Sequence, residues 1–272
     1  MTPRTHFEKQ LWRSLWVLIA TAGFCSPSTA QDVGAQKLAD LLNRTADHTS
    51  AYLDQLSDVK CTEHVLQEKM GKDDKVELKE ESAYDYLVIL TNSGGELNLS
   101  ESRLPLRQAK PDRKNTSMLL SNGFATLFLV FHPNYADAFK FTFAAEEVIG
   151  GRTLDKVTFQ HIAGMKSPAA MALRGREYPL ELSGTAWIVP ETGTIAKIEA
   201  SIDDTLQDVG LKSLHTEIEF APLQFAGSNP AYWFPTRASV EVETPRQHWR
   251  NLHQFSEYKK FSVAAEEKVT SK

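Results

Sequence analysis

Histidine and carboxylate side chains are the residues of this chain that could bind a metal or transfer a proton. Seven histidines lie beyond position 30. His248 and His253 are five residues apart in a strand-like segment, so they would point to opposite faces of a sheet and could not share a metal ion. No helical pair has the four-residue spacing of a zinc protease. We therefore predict no metal site, and we expect the histidines to lie on solvent-exposed faces of strands.

The acidic pairs Glu146-Glu147 and Asp203-Asp204 are the candidates for acid–base catalysis. Two carboxylates that hydrolyse a glycosidic bond must lie about 5–9.5 Å apart across a cleft. Neighbouring residues of a strand face opposite ways, so neither pair converges on one substrate atom. The chain also has no nucleophile elbow, no phosphate-binding loop and no dinucleotide fingerprint. We expect no catalytic residue and no cofactor, and we predict that the protein is not an enzyme.

The first thirty residues have the pattern of a secretory signal. Three basic residues precede an apolar run over 15–20, and the small residues Ser28 and Ala30 occupy the positions that a signal peptidase recognises. The apolar core is shorter than the roughly 20 residues that span a bilayer. The pattern therefore predicts cleavage near Ala30 and a mature chain that is periplasmic or secreted.

The two cysteines differ in their expected fate. Cys25 lies within the signal, and lipidation there would require a small residue where Phe24 stands. Cys61 is then the single cysteine of the mature chain, so no intrachain disulfide can form. A buried strand residue is the favoured interpretation of Cys61, and a partner for another thiol is the alternative.

Composition limits the classes of partner. The formal net charge is −5 and the pI is about 5.9, so the chain has no bulk attraction for nucleic acid or for an anionic membrane. No apolar run beyond the signal is long enough to cross a bilayer, and we predict that this is not an integral membrane protein. The composition is typical of globular proteins, and we assign residues 31–272 to a single β domain.

Hydrophobic periodicity predicts a helix followed mainly by strands. Apolar residues recur at three- and four-residue spacing over 33–56, which is typical of an amphipathic helix. Thr116-Ser117 could cap a second helix over 118–131 that Pro133 ends. Later segments alternate apolar and polar residues and are separated by turn signals, which indicates antiparallel hairpins. The predicted class is α+β, mainly β: a single antiparallel sheet covered by the N-terminal and the mid-chain helix.

Two segments interrupt this pattern. Residues 103–117 are basic and contain proline, and we interpret them as a solvated loop. Residues 164–178 contain small residues and two methionines, and we interpret them as a long connection that could act as a lid or a binding loop.

Aromatic residues are the strongest remaining signal. They concentrate on the predicted strands and on the second helix, where they either form an ordinary core or line an apolar pocket for an acyl chain or a lipidated peptide. Trp187 is expected to be buried on the concave side of the sheet or under a helix. The candidate ligand-binding residues are Tyr84, Tyr86, Phe128, Phe131, Phe141 and Trp187.

Residues 182–199 form a tryptophan-containing strand, the turn Pro190-Glu191-Thr192-Gly193 and a returning strand with basic and apolar residues. This stretch resembles the corresponding hairpin of the LolA/LolB-like superfamily of periplasmic lipoprotein carriers. The resemblance implies a half-barrel, which is an unclosed β-barrel with helices over its mouth, and a cavity that holds lipid or the acyl chains of lipoproteins. The implied function is that of a carrier-like protein of the cell envelope. Its partners would be a lipid or a lipidated protein, and possibly another envelope protein. The alternative is a periplasmic sensor or protein-interaction domain with a filled core and no ligand.

Overall fold

A ten-stranded antiparallel sheet dominates the part of the chain that the computed structural model describes, namely residues 28–93, 96–106, 125–173, 176–202, 206, 210–225 and 232–260. The helix and strands, in chain order, are α1 (Ser28–Ser57), β1 (Val59–Met70), β2 (Val76–Ser93), β3 (Glu96–Pro105), β4 (Phe139–Ile149), β5 (Arg152–His161), β6 (Ala170–Leu173), β7 (Arg176–Pro179), β8 (Leu182–Ile188), β9 (Ile195–Ile202), β10 (Ser213–Leu223), β11 (Tyr232–Glu243) and β12 (His248–Lys260). Within these ranges, short 3₁₀ helices lie at Lys72–Asp74, Ala125–Phe131 and Ala136–Ala138.

The strand order of the large sheet is β3-β2-β1-β12-β11-β10-β9-β8-β5-β4. Sequential hairpins build most of it, and the pairing of β1 with β12 joins the two ends of the chain. Strands β3 and β4 lie at opposite ends of this order, so the sheet is not closed into a barrel. The prediction of a mainly β fold with an unclosed antiparallel sheet and a helix is therefore confirmed.

Helix α1 lies on one face of the sheet, which we call the inner face. Its apolar stripe buries Leu41, Tyr52, Leu53 and Leu56, as the helical periodicity predicts. The first turns of the helix are more exposed and carry polar anchors to the sheet. Lys37 donates a hydrogen bond to Glu146 at 2.8 Å, and the Nε of Arg44 donates to the carbonyl of Pro190 at 3.0 Å.

The centre of the inner face is a cross-strand row of small and β-branched residues. Successive partners along the ladders of β5, β8, β9, β10 and β11 are Val157, Ala186, Ile198, Ile218 and Ala238, each at most 1% exposed. Cross-strand pairs of this kind are the main unit of sheet stabilisation. Alternation therefore sets the register, because a shift by one residue would turn this whole row to solvent.

The expected second helix is different in the structure. Its first part, 118–124, lies outside the described residues, and Ala125–Phe131 forms a 3₁₀ helix, which we call the inner 3₁₀ segment. The backbone N–H of His132 donates to the carbonyl of Leu129 at 3.0 Å, an i-to-i+3 bond that ends this segment. Residues 127–131 are all buried. Packing on every side, rather than intrinsic helix propensity, thus decides the local backbone.

Both predicted loops also need correction. The proposed basic loop begins as a strand, because Arg103 to Pro105 continue β3 and pair with β2. Residues 107–117 of that loop lie outside the described residues. Segment 164–178 includes β6 and most of β7, which pair in a small two-stranded sheet. Strands of four residues are too short for alternation to reveal them.

Candidate functional site

Aromatic rings fill the space between α1, the inner 3₁₀ segment and the sheet. Phe128 of the 3₁₀ segment stacks on Tyr52 of α1 with ring centroids 4.4 Å apart, and it meets the edge of Phe220 of β10 at 4.6 Å. Phe234 of β11 lies 6.1 Å from Tyr52. The segment is therefore held between helix and sheet by ring contacts on both sides.

A second set of rings continues from Phe131 towards the β4 end of the sheet. Phe131 lies 5.2 Å from Phe141 and 6.0 Å from Phe159, and Phe139 meets Phe159 at 5.9 Å. The imidazole of His161 follows, with its centroid 5.2 Å from that of Phe139. The two sets belong to one core cluster, and we call them together the aromatic tract. Its members are Tyr52, Phe128, Phe131, Phe139, Phe141, Phe159, Phe220 and Phe234.

The structure brings together three of the six predicted ligand-binding residues. Phe128, Phe131 and Phe141 all belong to the aromatic tract, and the first two are only 2% and 1% exposed. Tyr86 contacts Phe255 and Arg103 instead, and Tyr84 lies opposite Glu63 in the β1–β2 ladder. These two tyrosines therefore belong to another part of the inner face.

Trp187 is buried, at 5% exposed, but it lies on the outer face of the sheet. Its neighbours Ala186 and Ile188 take the inner face of β8, so alternation turns Trp187 outward. Lys156 and Lys197 cover its ring at 5.0 and 4.9 Å, and its indole N–H donates to Glu147 at 2.8 Å. This hydrogen bond is the main cause of a lowered pKa of the Glu147 carboxyl. The expectation of a concave-side position for Trp187 was wrong.

Four charged or titratable side chains form a cluster on the inner face near β3. Glu63 of β1, which is fully buried, accepts hydrogen bonds from Arg103 Nε at 2.6 Å and Arg103 Nη2 at 3.0 Å. His253 Nδ1 of β12 lies 2.8 Å from the same carboxylate, and Glu101 lies 3.1 Å from Arg103 Nη2. We call Glu63, Glu101, Arg103 and His253 the charged cluster.

Burial and pairing oppose each other at Glu63. Burial raises its pKa, but the hydrogen bonds from His253 and Arg103 outweigh burial, so the pKa of Glu63 is lowered from its ordinary value. Burial lowers the pKa of Arg103, and the hydrogen bond with Glu63 reverses this, so that pKa is raised. The cluster therefore holds Glu63 ionised inside the fold.

The charged cluster was not predicted from the sequence, and two histidines lie where they were not expected. His253 and His161 were expected on solvent-exposed faces, whereas both are buried on the inner face. One signal was available. Glu63 is two positions from Cys61 in β1, and His253 is two positions from Phe255 in β12. Each therefore occupies a position where the alternating pattern of its strand predicts an apolar residue.

His161 differs from His253 in its surroundings. It lies at the end of the aromatic tract and is 6% exposed. Neither of its ring nitrogens has a hydrogen-bond partner among the residues that the structure describes. Two polar atoms thus lie at the end of an apolar aromatic surface.

The remaining candidates can be stated briefly. Cys61 is buried in β1, as favoured, and burial raises the pKa of its thiol to about 12, which makes it unreactive. Among the described residues, no three histidine, cysteine or acidic side chains converge in a way that could hold a metal ion. The helices in the described ranges include none that is long and apolar enough to span a membrane.

Comparisons with known proteins give distant structural likenesses. No protein-family model matches the chain, and neither does a curated protein. A DUF1329 family protein from Desulfovibrio piger ATCC 29098 is 12% identical over 84% of this chain and 95% of its own, with a TM-score of 0.43. A putative outer membrane lipoprotein-sorting protein domain from Vibrio parahaemolyticus is 11% identical over 83% and 94%, with a TM-score of 0.41. A MucA/MucB complex from Pseudomonas aeruginosa gives 9% identity over 83% and 99%, with a TM-score of 0.22. The chain shares low sequence identity and a low TM-score with each of these structures.

Proposed function

We propose that this protein is an exported, carrier-like binding protein of the cell envelope that takes an acyl chain along the aromatic tract. The observation that supports this most is the inner 3₁₀ segment, because it places Phe128 and Phe131 between α1 and the sheet. We interpret the present arrangement as a closed form, in which these two side chains occupy the place of a ligand.

The energetics of the segment are compatible with its displacement. Runs of 3₁₀ helix longer than three or four residues are uncommon because their hydrogen bonds have poorer geometry. The segment has seven residues, and its hold on the fold comes mainly from apolar contact. An acyl chain can replace that contact, since each buried methylene contributes about 0.8 kcal/mol.

Export and domain organisation complete the proposal. The signal pattern over residues 1–30 supports cleavage near Ala30 and a periplasmic or secreted location. One core cluster contains residues from Leu41 in α1 to Phe255 in β12, which supports treating 31–272 as one domain. The proposed partners are a lipid or a lipidated protein.

Titration with a fluorescent fatty acid tests the binding function. Wild type should show saturable binding that unlabelled palmitic acid displaces. Phe141→Asp should bind the probe at least tenfold more weakly, because Phe141 contacts Phe131 from the sheet and a carboxylate on the wall of an apolar site is costly to desolvate. Absence of saturable binding to the wild type would reject the proposal.

Val148→Asp is the matched control for the added charge. Val148 is 69% exposed on β4, so this variant should bind the probe like the wild type. Circular dichroism must show that Phe141→Asp is folded, and Phe141→Ala, which adds no charge, provides a second variant if it is not.

The second candidate function is a sensor or protein-interaction domain without a small ligand. The close packing of Phe128, Phe131 and Phe159 favours it, because these rings already fill the interior. If wild type binds no probe while remaining folded and monodisperse, this candidate takes precedence.

A further inference from the structure

We infer that His161 is the polar end of the ligand site and that it binds the carbonyl oxygen of an acyl group whose chain lies along the aromatic tract. This inference rests on the proposed function and adds the chemical class of the ligand. Two observations support it. His161 lies at the end of the aromatic tract, and neither of its ring nitrogens has a hydrogen-bond partner among the described residues.

The position of His161 follows from the alternation of β5. Asp155, Val157, Phe159 and His161 are buried at alternating positions of this strand, so Phe159 and His161 are successive residues of the inner face. The cross-strand partner of His161 is Phe139, whose ring it meets edge-on. The imidazole therefore continues the row of rings that begins at Phe131.

The ring nitrogens give the chemical argument. An imidazole carries a donor and an acceptor when neutral and two donors when charged. A buried polar group without a partner loses its hydrogen bonds to water and gains none in return, so such groups are normally satisfied. Within the described ranges no protein atom satisfies either nitrogen of His161, although the side chain is more than nine-tenths buried.

A ligand can supply the missing acceptor. An acyl chain that takes the place of Phe131 and lies along Phe159 and Phe139 ends at the imidazole, and its first polar atom is the carbonyl oxygen. A ring N–H of His161 can donate to that oxygen, whether it belongs to the carboxylate of a free fatty acid or to an ester. A purely apolar chain would leave both nitrogens as they are.

The charged cluster is another polar region of the inner face, and it does not offer the same chemistry. The Glu63 carboxylate there already accepts hydrogen bonds from Arg103, and His253 lies at hydrogen-bond distance from it. His161 is therefore the better candidate for contact with a ligand.

Displacement of diphenylhexatriene, an apolar probe without a carbonyl group, tests the binding function and the role of His161 separately. The proteins are wild type, His161→Leu and His161→Gln, and the competitors are palmitic acid and methyl palmitate. Wild type and His161→Leu should bind the probe equally well. His161→Leu should bind palmitic acid about tenfold more weakly, which corresponds to one hydrogen bond of about 1.4 kcal/mol. His161→Gln keeps an N–H donor and should recover part of this affinity.

The pattern of loss identifies the source of the carbonyl. If His161→Leu loses affinity for palmitic acid alone, the site takes free fatty acids. If it loses affinity for both competitors, the site takes acyl esters as well. Equal affinity of wild type and His161→Leu for both competitors would overturn the inference while leaving the binding function intact. Failure of wild type to bind diphenylhexatriene would instead reject the proposed function.

¹⁵N NMR of the imidazole tests directly whether the ligand contacts His161. Addition of palmitic acid should shift the ring ¹⁵N resonances of His161 and leave those of His215, which lies on the outer face beside Ser201, unchanged. Unchanged His161 resonances at saturating ligand would also overturn the inference.

Discussion

Glu63 is a charged residue at a position where the alternation of β1 places an apolar side chain. It lies between Cys61 and Val65 on the inner face and is fully buried. Arg103 and His253 surround its carboxylate, and they come from strands on either side of β1 in the sheet order. A buried ion pair adds little net stability over an apolar pair, but removing one partner leaves a buried charge that is costly.

Arg103→Met should therefore lower the free energy of unfolding by about 3–5 kcal/mol, because Glu63 loses its bidentate partner. Urea denaturation measures the change. Lys79→Met is the control, since Lys79 forms an exposed pair with Glu81 and its loss should cost less than about 1 kcal/mol. Equal effects of the two substitutions would mean that the buried pair is not formed.

The pH dependence of stability should report the ionised state of Glu63. Its pKa is lowered on folding from the ordinary value of 4.5, so its contribution is present above pH 4.5 and is lost as the pH falls through the folded value. Glu63→Gln should be less stable than wild type at pH 7, and the difference should narrow on acidification below about pH 4.5. Urea midpoints between pH 7 and pH 3 test this, and a constant difference would contradict it.

The elements divide into those that local sequence determines and those that packing determines. The hairpins β4–β5 and β8–β9 and the helix α1 follow from alternation, turn residues and helical periodicity, and the structure confirms them. The inner 3₁₀ segment and the extension of β3 to Arg103 do not follow from local pattern. Phe128 and Arg103 are placed by partners from other elements, Tyr52 and Glu63.

The turn between β8 and β9 also positions α1. Gly193 has φ +73, and a Cβ at this position would come within 2.5 Å of the backbone of Arg44 and Thr45. Gly193→Ala should therefore destabilise the protein and loosen α1, measured as a lower melting temperature and faster amide exchange in 37–49.

Gly150→Ala is the matched control, because Gly150 has φ +58 but nothing within 4 Å of the position that its Cβ would take. It should show the cost of positive φ, about 1–2 kcal/mol, without the loosening of α1. Equal exchange in the two variants would rule out the contact as the cause.

At the scale of the whole molecule, the aromatic tract and the charged cluster occupy different ends of the strand order. The aromatic tract extends from β11 to β4, and the charged cluster lies at β12, β1 and β3. The sequence predicts the aromatic tract, because aromatic residues at alternating positions indicate an inner face. It cannot predict the charged cluster, since that depends on the pairing of β1 with β12, which brings Glu63 next to His253, 190 positions further along the chain.

The closed arrangement leads to a final prediction about opening. If an acyl chain takes the place of Phe128 and Phe131, binding must release the inner 3₁₀ segment while it stabilises the rest of the fold. At one hundred times its dissociation constant, palmitic acid should then add about 2.7 kcal/mol to the free energy of unfolding. The melting temperature should rise accordingly. At the same time, amide exchange in 125–131 should become faster. Phe141→Asp should show neither change on addition of palmitic acid, because its binding is weakened. Slower exchange in this segment on addition of ligand would mean that the chain binds without displacing it, and the closed-form interpretation would then be wrong.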